Sequence, residues 1–153
     1  MSSHLTEAKI ELVHGSYRRC MLSDYFLSLF YENFLGKSEE IASMFRNTNM
    51  SRQHLVLAKS IADLVSFAEG KPSACKEMKD LAKQHDQDHL NITSPMYQQW
   101  IIAFLETVRE IDQHWSPEIQ SAWIEVLTIG INYMLEHHRV PTKFDPPRMS
   151  PGL

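Results

Sequence analysis

Ser94-Pro95-Met96-Tyr97-Gln98-Gln99-Trp100-Ile101-Ile102-Ala103-Phe104-Leu105-Glu106-Thr107-Val108-Arg109-Glu110-Ile111 carries the clearest structural signal in the chain. Tyr97, Trp100, Ile101, Phe104, Leu105, Val108 and Ile111 recur at three- and four-residue steps, which places them on one face of an α-helix. Ser94-Pro95 opens it as N-cap and first-turn proline, where the missing N–H costs nothing. Ser116-Pro117-Glu118 repeats that start signal. Ile119, Trp123, Val126, Leu127, Ile131 and Met134 then continue the same period to about His137. Two long helices therefore stand at the C-terminal end.

Working back toward the N-terminus, the same period persists. Ser73 starts a helix with Met78, Leu81, Ala82 and His85 on one face. Before it, a helix from about Ser51 to Glu69 carries Leu57, Ile61, Leu64, Val65 and Ala68, and Gly70-Lys71-Pro72 ends it. Ser38 with Glu39 and Glu40 caps a short helix to Phe45, and Arg46-Asn47-Thr48-Asn49 reads as a connection. Ser23 is a fitting N-cap for a helix with Phe26, Leu29, Phe30 and Phe34, ending at Gly36. Residues 5–20 complete the set, weakened at Gly15. The expectation is an all-α domain of six to seven helices over residues 1–138. Unequal lengths and a short third helix suit a globin-like packing better than a symmetric four-helix bundle. Residues 139–153, with four of the chain's seven prolines, read as a loosely ordered tail.

Composition narrows the function classes. The length of 153 residues suits one domain with a sizeable core, and 43% apolar residues is ordinary for a globular protein. A net charge of −4 and no long basic block argue against a nucleic-acid surface. No run of apolar residues is long enough to span a membrane, and the N-terminus lacks a signal-peptide pattern. Cys20 and Cys75 show no metal-type spacing and read as free thiols in a reducing cytoplasm, with Cys75 a small core residue.

Three polar residues stand out. His85 sits on an apolar stripe near a helix end. A lone histidine there is more often a satisfied core residue than a ligand. His89 could pair with it for zinc, but no thiol or carboxylate set completes a tetrahedral site. One histidine alone suits haem, where the porphyrin supplies the other ligands. Tyr31, among Phe26, Phe30 and Phe34, needs a partner if buried. Gln53 begins a helix whose inner face is otherwise aliphatic.

Phe30-Tyr31-Glu32-Asn33-Phe34, followed by Ser38-Glu39-Glu40-Ile41 and Met44-Phe45, resembles the second and third helices of bacterial single-domain haemoglobins and of the globin domain of flavohaemoglobins. Leu81-Ala82-Lys83-Gln84-His85 and Leu90-Asn91-Ile92 resemble the proximal stretch of that family, and the likeness spans about residues 5–138. The resemblance implies haem b with His85 as iron ligand and His89 as its rival. It places Tyr31 and Gln53 on the distal side and Phe45 stacked on the haem. Tyr97 falls where the family has a tyrosine contacting the proximal histidine, and Trp123 matches a tryptophan early in the last helix. Leu57, Ile61, Phe30 and Trp100 would complete an apolar pocket. The stretch between Phe45 and Gln53 is slightly shorter than in the family, so the distal pair is either Gln53 with Leu57 or, one turn on, Leu57 with Ile61. The implied function is reversible binding of O₂, CO or NO, for oxygen transport or NO oxidation. The alternative is a gas sensor acting through a separate partner protein. No Gly-rich dinucleotide fingerprint is present, so nicotinamide-driven turnover would need a separate reductase.

Overall fold

The computed structural model describes residues 5–86, 88–138, 144, 146 and 147. Seven helices follow one another: α1 (Glu7–Met21), α2 (Phe26–Leu35), α3 (Glu39–Met44), α4 (Met50–Ala68), α5 (Ala74–Gln84), α6 (Ser94–Ile111) and α7 (Pro117–Glu136). Among the described residues there is no strand. The all-α class expected from the period is the class observed.

Most helix starts are written in short polar side chains. Thr6 accepts from the Lys9 N–H, Ser38 from Ile41 and Ser116 from Ile119, each satisfying a first-turn donor that has no partner inside the helix. Asn49, expected in a connection, does the same for α4 by accepting from Arg52 at 3.1 Å. Two expected caps differ. Ser23 does not cap α2, which begins three residues later; its hydroxyl accepts from the Tyr25 N–H within the preceding turn. Ser94 is the first helical residue of α6, and the extended cap position belongs to Thr93. No side-chain bond closes that start. Gly70 follows α4 with φ +81°, the left-handed conformation that ends helices at little cost for glycine.

Packing sets α2 against α6, α1 against α7, and α4 against both α5 and α7. Phe26, Phe30, Phe104 and Trp123 are fully buried at the centre. Trp100 stacks on Phe104 at 5.3 Å, and Phe104 meets Trp123 edge-on at 4.8 Å. The Trp123 indole N–H donates to the Ser16 hydroxyl at 2.9 Å, tying α7 to α1 with a satisfied buried donor. Gly130 on α7 faces Leu64 of α4: a Cβ there would stand 2.3 Å from Leu64 Cδ2.

Cys75 is a correction: it is exposed. The buried stripe of α5 is Ala74, Met78 and Ala82, which leaves Cys75 turned about 100° away. Cys20 is buried, and burial pushes its thiol up to about 12. The loose tail expected at 139–153 lies outside the described residues except for 144, 146 and 147, of which Phe144 is buried in the core. Among the described residues no helix is long and apolar enough to cross a membrane.

Candidate functional site

A cavity of about 250 Å³ opens between α2, α4, α5, α6 and α7, and its walls are mostly apolar. Two groups of polar side chains interrupt the apolar lining, and they come from different helices.

The first group centres on Tyr31. The ring is buried and held by three others: Phe30 edge-on at 5.0 Å, Phe45 tilted at 5.7 Å, and His54 parallel at 5.5 Å. Gln53 Nε2 donates to the Tyr31 hydroxyl oxygen at 3.0 Å. The hydroxyl's own proton has the Gln53 carbonyl as acceptor at 3.5 Å, the long limit of a hydrogen bond. Burial pushes the phenol up to about 12, against the pull of the Gln53 bond, so it stays protonated at neutral pH. The group is therefore a buried O–H whose proton is weakly committed and whose orientation is set by a neighbouring amide.

The second group centres on His85, the C-cap of α5. The chain after it folds back over the helix end. Leu90 N–H donates to the Gln84 carbonyl at 3.1 Å and Ile92 N–H to the His85 carbonyl at 3.0 Å. Asn91 takes φ +52°, a conformation asparagine tolerates, and its side-chain oxygen pairs with His138 Nε2 at 2.9 Å. Burial pulls the His85 imidazole down to about 4, with the Leu81 carbonyl acting in the opposite sense. The ring is thus neutral at physiological pH, the form that ligates metals. Its Nδ1 is buried without a hydrogen-bond partner of normal geometry. Tyr97 stands edge-on to it, ring centroids 6.2 Å apart, and donates its own hydroxyl to Met134 Sδ at 3.6 Å.

Tyr31, Phe45, Gln53, Leu57, His85, Tyr97 and Trp100 all line this one cavity. Ile61 does not; it is fully buried elsewhere in the core. On α4 the cavity-facing residues are Gln53, Leu57, Ser60 and Leu64, at steps of four, three and four. Ile61 sits one position, about 100°, beyond that stripe. Of the two pairs left open by the sequence, Gln53 and Leu57 both line the cavity, whereas of Leu57 and Ile61 only Leu57 does. His89 is exposed and hydrogen-bonded to Asp86 at 2.7 Å, away from the cavity. Among the described residues no three His, Cys, Asp or Glu side chains gather as a metal site.

The sequence reading missed Met44, Thr48, Ser60 and Met96 in the lining, and His54 stacked on Tyr31. Ser60 was within reach of the pattern, one turn beyond Leu57. His54 was not, because only the α2–α4 crossing brings it to Tyr31.

No protein-family model and no curated protein matches the chain. Among solved structures it is similar to a protein of Pseudomonas aeruginosa PAO1 that is structurally highly homologous to human haemoglobin. The likeness has a TM-score of 0.81 at 31% identity and covers 85% of this chain and 98% of the other. Helix order, cavity and this likeness agree, and the chain belongs to the globin family.

Proposed function

We propose that this chain binds haem b in the cavity, with His85 as the iron ligand and Tyr31 and Gln53 facing a diatomic gas on the other side. The observation that carries the reading is the pairing within one mostly apolar cavity of a neutral, half-buried imidazole whose Nδ1 is buried and a buried tyrosine hydroxyl with a weakly committed proton. Haem, when bound by one neutral imidazole, supplies an iron with an open position for O₂, CO or NO. The residues present fit that group: one histidine without a carboxylate or thiol set, a mostly apolar wall, and Phe45 beside Tyr31 at the cavity edge.

The chain's own residues then perform distinct tasks. Gln53, by donating to Tyr31, aims the phenol and polarises its O–H. Tyr31 offers that proton to a ligand atom carrying partial negative charge, a contribution on the order of 1 kcal/mol. Leu57, Trp100 and Leu64 keep the cavity poor in water. The ligands are O₂, CO or NO, the role is oxygen transport or NO oxidation, and sustained turnover draws electrons from a separate reductase.

The test compares His85→Ala and His89→Ala with wild type for haem content and for oxidised, reduced and CO-bound spectra. His85→Ala should lose the histidine-ligated ferrous spectrum while His89→Ala keeps it. The reverse pattern would refute the assignment.

A further inference from the structure

We infer that His54 is a positioning residue for the ligand contact: its imidazole, stacked on Tyr31, fixes the plane of the phenol and so the direction in which the O–H points. The inference rests on the haem reading above and concerns a side chain outside the cavity wall that sets the geometry inside it.

A tyrosine ring swings on two side-chain bonds and keeps one orientation only where neighbours block the others. Two blocking rings come from α2 and from the residue that ends α3: Phe30 edge-on at 5.0 Å and Phe45 tilted at 5.7 Å. Neither lies flat on the phenol. His54 does, with ring centroids 5.5 Å apart and planes 12° apart, the offset parallel arrangement that aromatic pairs favour. On α4 it follows Gln53 and so points about 100° away from that residue. Gln53 lines the cavity and His54 does not. Tyr31 is 5% exposed while His54 is half-buried, so the imidazole is a cover between one face of the phenol and water. Among the described residues no hydrogen bond or ion pair engages the imidazole, which leaves the stack as its contact in the fold. The two neighbours on α4 thus divide the work. Gln53 donates to the hydroxyl oxygen and turns the O–H about its own C–O bond. His54 blocks the tilt of the ring that would carry the hydroxyl off that 3.0 Å contact.

The test uses the purified, haem-loaded full chain. It reads stopped-flow O₂ and CO dissociation and the infrared stretching band of bound CO, which senses the dipole facing the ligand. Wild type should give a single band. His54→Ala removes the flat ring. It should speed O₂ release on the order of threefold, less than Tyr31→Phe, because the donor survives but no longer holds one direction. CO release should move less, and the bound-CO band should broaden or split. His54→Phe returns a flat ring without the nitrogens and should restore one band and an O₂ release rate close to that of wild type. His54→Gln, polar but without a ring, should behave as His54→Ala does, and it decides the matter if His54→Ala fails to fold. In a Tyr31→Phe background His54→Ala should add nothing, since the group it positions has gone. A general loosening of the pocket would persist in that background and would overturn the inference. So would His54→Phe matching His54→Ala, or O₂ release unchanged in both ringless variants. A failed haem reading shows itself separately, as a histidine-ligated ferrous spectrum that survives His85→Ala.

Discussion

At the scale of single residues, the proposed ligand contact depends on one proton. Tyr31 accepts from Gln53 at 3.0 Å and its own O–H has only a 3.5 Å acceptor, so the two side chains are not equivalent donors. Tyr31→Phe removes the donor itself. It should raise the O₂ dissociation rate of the haem-loaded protein on the order of tenfold, equivalent to about 1.4 kcal/mol. Gln53→Leu removes only the group that aims it, and its effect should be smaller. CO release should change less in both, because CO is less polar. Stopped-flow dissociation of both gases from the two variants checks this ordering. Unchanged O₂ release in Tyr31→Phe with faster release in Gln53→Leu would invert it.

At the scale of elements, the α4–α7 contact shapes the cavity. Leu64 lines the cavity and also fills the space over Gly130. Gly130→Ala should gain about 0.8–1 kcal/mol in helix propensity. The new methyl would meet Leu64 Cδ2 at 2.3 Å, so that side chain must shift, and overpacking costs roughly 1–3 kcal/mol. The clash should win, so we expect net destabilisation and a Leu64 displaced toward the cavity. Chemical denaturation measures the first, and a gain in stability would show that Leu64 repacks freely. Helix starts give a simpler expectation. Ser116→Ala deletes the oxygen that holds the Ile119 N–H at 3.1 Å. It should cost about 1 kcal/mol, a melting shift of roughly 2–4 °C. No shift would mean that water replaces the cap at no cost.

For the whole molecule, two buried polar links join α1 to the C-terminal half. One is Trp123 to Ser16. The other is Arg19 to Asp112 just past α6, a two-pronged pair with one arm at 3.0 Å. Burial alone would raise the Asp112 carboxyl, but bonds from Arg19, Ser16 and the His114 N–H outweigh it and hold the group below its usual value. A carboxyl with a folded-state pKa below its unfolded one adds stability that is fully present above the unfolded value. That stability is lost as pH falls through the folded one. Wild type should therefore lose melting temperature as pH drops below about 4. Asp112→Asn should cost about 1–3 kcal/mol at neutral pH, toward the lower end because the Arg19 side chain is about a third exposed. Its acid limb should be flatter than that of wild type. Parallel acid limbs in calorimetric melts of the two proteins would exclude Asp112 as the titrating link.

The sequence by itself determined the helices and the residues most worth watching. Periodicity, caps and proline positions act between residues within a turn or two of one another, so all seven helix starts fall within two residues of where the pattern puts them. The family resemblance singled out Tyr31, Phe45, Gln53, Tyr97 and His85, and all five line one cavity. Which residues touch across the cavity only the tertiary structure decided. Tyr31 and Gln53 are 22 positions apart and Tyr97 and Met134 are 37 apart. Whether such pairs meet depends on how far each helix is rotated where it crosses its neighbour, and a rotation of about 100° separates Ser60 in the cavity wall from Ile61 in the core. No local rule contains that angle. It is set by the summed packing of the core, with the close approach at Gly130 one of its terms.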